Sequence, residues 1–167
     1  MSVSEPVRPP ASPSHDLRAI AYHEAGHVVV GTLLDLNLLS TDIERDGEGG
    51  RGHTHFANPQ RRDRDFVERV VTTFMAGFAA EERLGVPDPD GSGFDADLTL
   101  REWLQHIEPD ESRRPALAED FHQRARLMLA EPATWSDVEA VAAALLSARR
   151  LDGTQARRLI QSNGQEA

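Results

Sequence analysis

The run His23-Glu24-Ala25-Gly26-His27 constrains the chain most, because its residue types have a joint use only on a helix. Residues four apart on an α-helix are rotated by about 40° and rise about 6 Å, so both imidazoles can reach one ion. Glu24 sits roughly 100° round from His23, outside that chelate but within reach of a water at the ion. This is the spacing of a zinc peptidase. The flanks agree. Asp16 to Leu36 reads as a helix, with Leu17, Ile20, Ala21, Val28, Leu33 and Leu34 interleaved with polar positions. Asp16 is placed to accept from the free amides of the first turn. Gly26 and Gly31 each disfavour a helix by roughly 1 kcal/mol relative to Ala, so both are expected to serve close packing.

Any ion here must be held by nitrogen and oxygen, since the chain has no cysteine. A catalytic zinc keeps three protein ligands and one open position. His23 and His27 supply two. For the third, Glu81 and Glu82 lie on a downstream helix, His53 and His55 on a strand, and Asp95 and Asp97 after a glycine-rich loop. Spacing alone does not choose among them. The 167 residues are 39% hydrophobic and 28% charged, which suits one globular domain with a real core. A net charge of −10 disfavours nucleic acid and anionic membrane surfaces as partners. No apolar run approaches the ~18 residues of a membrane span. Residues 1–14 are Pro- and Ser-rich without an apolar signal core, so a disordered leader, a domain over 15–163 and a cytoplasmic location are expected.

Beyond the first helix, Leu38 to Arg45 and Gly52 to Ala57 read as two short strands around a Gly-rich turn. His53 and His55 then share one face, Thr54 and Phe56 the other. A long helix follows, about Arg62 to Leu84, with a stripe of Phe66, Val70, Phe74, Phe78 and Ala79; Gly85 stops it. Val86 to Phe94 is a loop. Further helices are expected over Ala96–Ile107, Arg114–Ala130 and up to Arg149, the last starting at a capping box of Thr134 and Asp137. Leu151-Asp152-Gly153 reads as a turn into a short final helix, Thr154 to Ser162. The fold class is mainly α, with a small β element beside the metal-binding helix.

These residues carry a resemblance. Ala21-Tyr22-His23-Glu24-Ala25-Gly26-His27 resembles the opening of the peptidase domain of the FtsH family, membrane-anchored, ATP-driven zinc proteases. The likeness runs on through Gly52-His53-Thr54-His55-Phe56 and Met75-Ala76-Gly77-Phe78-Ala79-Ala80-Glu81-Glu82-Arg83-Leu84-Gly85. It continues in Ser92-Gly93-Phe94-Asp95-Ala96-Asp97-Leu98, then Ala144-Leu145-Leu146 and Arg150-Leu151-Asp152-Gly153 with Ala156, spanning roughly residues 16 to 162 in matching order. The family's third ligand is an Asp four positions after a Gly, followed by an apolar residue, at a helix start. The resemblance thus implies Asp97, four after Gly93 and before Leu98, rather than Asp95. It assigns Glu81 and Glu82 a structural role, with a hydrogen bond to a ligating His open to either. Where the family carries Arg this chain has Phe78, and where its loop has Asn or similar before the Asp this chain has Ala96. These 167 residues contain no Walker-type Gly-x-x-x-x-Gly-Lys-Ser/Thr, so the family's motor is not encoded here.

The implied activity is zinc-dependent hydrolysis of unstructured polypeptides, with Zn²⁺ on His23, His27 and Asp97 and Glu24 as general base. The strand Gly52 to Phe56 can pair with an extended substrate. His53 and His55 are expected to be partly exposed, an oxyanion role being the lesser reading. A separate ATPase partner or a ring of copies is what the resemblance suggests for folded substrates. One alternative is a non-catalytic zinc-binding domain of the same fold, acting as a peptide-binding or regulatory module. Another is a helical interaction module with an accidental motif. His15, His106 and His122 read as solvated, and Trp103 and Trp135 as core. Asp88-Pro89-Asp90-Gly91 lacks the spaced oxygens of a calcium loop.

Overall fold

Two largely buried helices packed side by side form the centre of the molecule. The computed structural model describes residues 4–7, 16–47, 49–85 and 97–165, with the side chains of 46, 97–99 and 162–165 outside that description. The elements run α1 (Leu17–Leu33), β1 (Leu38–Asp46), β2 (Gly49–Phe56), α2 (Arg64–Leu84) and α3 (Asp97–Leu104). A 3-10 turn (Glu111–Arg113) follows, then α4 (Arg114–Ala130), α5 (Pro132–Ala148), β3 (Arg150–Asp152) and α6 (Gly153–Gln165). The chain is mainly helical with a three-stranded sheet, as expected. No described helix is long and apolar enough to cross a membrane.

α1 starts where Asp16 accepts from the Arg18 amide at 3.0 Å. From Ala19 to Gly31 it is buried on nearly every side, because this stretch has no charge outside the motif. α2 begins at Asp63, whose carboxylate accepts from the Phe66 amide, and ends at Gly85 with φ 81°, a left-handed cap. Its residues from Val70 to Glu81 are all buried. Gly26 brings the two helices close: a methyl group there would lie 2.5 Å from the Ala76 carbonyl oxygen and 2.9 Å from Ala80 Cβ. Gly31 is pressed likewise against Phe56 and Thr73. Both glycines therefore serve packing, as their cost to helix propensity suggests. Phe56, Phe74, Phe121, Ile20, Leu38 and Ile43 are fully buried around this pair. Each contributes about 1.5–3 kcal/mol relative to exposure.

The sheet lies in the order β2-β1-β3, all antiparallel. Thr41 faces Thr54 and Asp42 faces His53 across the hairpin, and a bulge at Leu38–Ser40 ends the regular register. On β2, Gly52, Thr54 and Phe56 are buried while His53 and His55 are half-exposed, as the period of two requires.

Three expectations are corrected. Leu151-Asp152 is not a turn: Arg150–Asp152 forms β3, and Leu151 pairs with Thr41. The box of Thr134 and Asp137 does not cap α5, which starts at Pro132 with Glu131 before it and buries Asp137 mid-helix. Proline at the first helical position has no amide to leave unpaired, and its fixed φ suits a helix start. His122 is not solvated; its side chain is 13% exposed, with Nε2 3.3 Å from Glu82 Oε1, where Arg126 also pairs bidentately with Glu82. In the N-terminal segment, Val7 makes an isolated β-bridge to Phe56. His106 is exposed and Trp103 is core, against Phe66 and Phe74. Trp135 is half-buried between Tyr22 and the Arg83 guanidinium. His15 and the Asp88–Gly91 turn lie outside the described residues.

Candidate metal centre

His23, Glu24 and His27 sit together on α1, at 0%, 1% and 0% exposure. Their ligand atoms lie within 4.8 Å of one another, and this is a cluster able to hold a metal ion among the described residues. The two rings meet edge to face at 4.6 Å. Each imidazole is oriented through its Nδ1. His27 Nδ1 donates to the Thr73 carbonyl at 2.8 Å, which puts the proton there and leaves Nε2 as a lone pair. That Nε2 is buried without a hydrogen-bond partner. Burial also holds the His27 imidazole well below its ordinary pKa, so the ring stays neutral and able to ligate. For His23 the carboxylate of Glu81 lies 3.3 Å from Nδ1, on a residue only 7% exposed.

Both Nε2 atoms face one spot on α2, Gly77. A methyl group there would sit 2.6 Å from Nε2 of His23 and of His27. The missing side chain leaves the space that both Nε2 atoms border. The donor atoms and the space therefore fit a divalent ion with nitrogen ligands, the case zinc satisfies.

Glu24 is held from the sheet side. Thr54 Oγ1 donates to Glu24 Oε2 at 2.6 Å, and Thr54 is itself hydrogen-bonded to Thr41 Oγ1 at 2.9 Å. Gly52 lets the strand approach: a methyl group there would lie 2.6 Å from Glu24 Oε1. Burial raises the Glu24 pKa to about 7, more than the neighbouring His23 and the Thr54 hydrogen bond lower it.

Three of the other candidates, His53, His55 and Glu82, have different surroundings. His53 and His55 are half-exposed on β2, and His53 Nδ1 is 3.2 Å from Asp42 Oδ1. Glu82 is turned to Arg126 and His122. Asp97 is the first residue of α3, and its side chain lies outside the described residues, as does Asp95 altogether. Sequence reasoning missed Thr54, Gly52, Gly77 and the Thr73 carbonyl. A carbonyl leaves no trace in side-chain pattern. The small-residue run Ala76-Gly77 and the inward phase of Thr54 were the available signals.

No family model matches the chain. Over 71 residues, 40% of this chain, it is 35% identical to the ATP-dependent zinc metalloprotease FtsH of Mycoplasma mobile. The match covers 10% of that protein, so the chain spans only a small part of this relative's length.

Proposed function

We propose that this chain is a zinc-dependent metalloendopeptidase that hydrolyses peptide bonds in unstructured polypeptides. His23 and His27 hold the ion through Nε2, and Asp97 is the third ligand, assigned by its spacing from Gly93 in the FtsH-like pattern. Bound Zn²⁺ supplies Lewis acidity at the scissile carbonyl and makes a water acidic near neutral pH.

The chain's own residues do the rest. Glu24 accepts the proton of the attacking water and passes it to the leaving amine. A buried carboxylate raised to about 7 suits a group that must take and release a proton near neutrality. The Thr54 hydroxyl pins Oε2, which leaves Oε1 as the accepting atom. Thr73 and Glu81 hold the imidazoles in the ligating orientation. β2 lies beside Glu24 with an outer edge on which an extended chain can add as a strand.

The observation that carries this function is the convergence of two buried Nε2 atoms on one glycine-lined space beside a buried carboxylate. The partial similarity to FtsH supports the same chemistry. Delivery of folded substrates would fall to a separate ATPase or to an assembly of copies. Cleavage of casein tests the function: activity abolished by a chelator, restored by Zn²⁺, and lost in Glu24→Gln with zinc still bound. Undiminished cleavage by Glu24→Gln would overturn the assigned base. Stoichiometric zinc without any turnover would favour a non-catalytic binding module.

A further inference from the structure

Among the described strands, β2 is an edge strand with β1 as its neighbour. Along its other side, among the described residues, a single β-bridge is made, and the chain's own N-terminal segment makes it. The Val7 amide donates to Phe56 O at 3.1 Å and the Phe56 amide donates to Val7 O at 3.2 Å, in antiparallel sense. Asn58 Nδ2 also donates to Glu5 O at 3.3 Å. Val7 is 5% exposed and part of the core.

Alternate residues of a strand turn their backbone groups to the same side. Thr54 and Gly52 therefore present N–H and C=O along the edge that Phe56 gives to Val7. These two residues also touch Glu24, one through its hydroxyl and the other through its bare Cα. An antiparallel strand continued in register from the Phe56 bridge reaches Thr54 and then Gly52 at successive alternate residues. Val7 thus holds one end of the edge that an extended polypeptide would follow towards Glu24.

Among the described residues, this bridge and the Asn58 hydrogen bond are the backbone contacts of the segment, and a cavity of about 580 Å³ is lined by Glu5, Pro6 and Val7 on one side and Arg62 and Trp103 on the other. We propose that residues 4–7 are an intramolecular competitor for the outer edge of β2. In this arrangement an incoming unstructured polypeptide displaces Val7 and places its own apolar side chain in the vacated seat. The identity of the competitor rests on the peptidase reading. The displacement itself does not require cleavage.

The test uses the full chain as Glu24→Gln, so that a labelled β-casein peptide stays intact, with amide hydrogen exchange followed residue by residue. On adding the peptide, exchange at Val7 should accelerate while Phe56 stays protected, its amide now bonded to the peptide. Val7→Asp, which cannot bury its charge in the seat, should bind the peptide about tenfold tighter, because the edge is then free in most molecules. If Val7→Asp loses protection in α1 as well, a synthetic peptide of residues 1–12 replaces it and should compete with the casein peptide for the chain. Peptide binding that leaves Val7 protected, no peptide binding, or no competition in trans each overturns the proposal. A chain that cleaves casein while Val7 stays protected refutes the competitor alone. A chain that never cleaves but releases Val7 refutes the peptidase function alone.

Discussion

Gly77→Ala puts the geometry of the metal centre to a demanding test. Inside a helix this exchange should by itself stabilise by about 1 kcal/mol. Here the added methyl would stand 2.6 Å from each Nε2 and 2.5 Å from His27 Cε1. That is roughly 1 Å inside van der Waals separation. The rings cannot retreat far, because α1 is pinned to α2 at Gly26 and each Nδ1 has its partner on α2. Overpacking of this kind costs about 1–3 kcal/mol, so fold stability should fall only slightly once the propensity gain is set against it. Metal binding should suffer far more. Ligating nitrogens must stand about 2.0–2.1 Å from zinc, and a methyl in that space excludes the ion or forces one ring out. We expect zinc affinity to drop about 100-fold or more, at the upper end of what disturbing a ligand's supporting partners does. Competition against a chromophoric chelator gives the affinity, and urea unfolding in EDTA gives the stability. Parent-like zinc affinity in a folded Gly77→Ala chain would refute the convergence of the two imidazoles on this residue.

Two further outcomes follow from the same site. In the metal-free chain Glu24 titrates near 7 rather than its ordinary 4.5, so the folded state binds that proton more tightly than the unfolded state. Its contribution to stability is present below about pH 4.5 and is lost as pH rises through about 7. Apo Glu24→Gln should therefore match the apo parent near pH 4.5 and exceed it at pH 8.5 by on the order of 3 kcal/mol. His27, whose depressed pKa acts in the opposite sense as pH falls, is common to both chains and cancels in the difference. Equal unfolding free energies at both pH values would contradict the burial of Glu24. Glu81→Gln should keep the fold and lower zinc affinity by about 10-fold or more through the His23 imidazole; unchanged affinity by the same chelator competition would remove Glu81 from the site.

Much of this centre was legible before any coordinates. The helix had to exist for His23 and His27 to act together, and its lack of charge outside the motif from Ala19 to Gly31 already indicates burial. The hairpin was readable from alternation, down to the inward phase of Thr54 and Phe56. β3 was not, since three residues are too few for a period of two and only pairing with Thr41 makes them a strand. The cap of α5 was misread because a Thr and an Asp three apart also occur inside helices, and Pro132 set the start earlier. Tertiary approach was the least visible. Gly77 and Gly52 matter through what their absent side chains leave open to residues far away in the chain. The Thr73 carbonyl acts through the backbone, and Glu81 owes its role to helix phase against α1.

The zinc content of the purified chain, measured by elemental analysis after dialysis and compared with His23→Ala, His27→Ala and Asp97→Ala, tests the central claim most directly. We expect one zinc per parent chain, none retained by either histidine variant, and much weakened retention by Asp97→Ala. A parent chain that takes up no zinc on reconstitution, or histidine variants that retain a full equivalent, would contradict it.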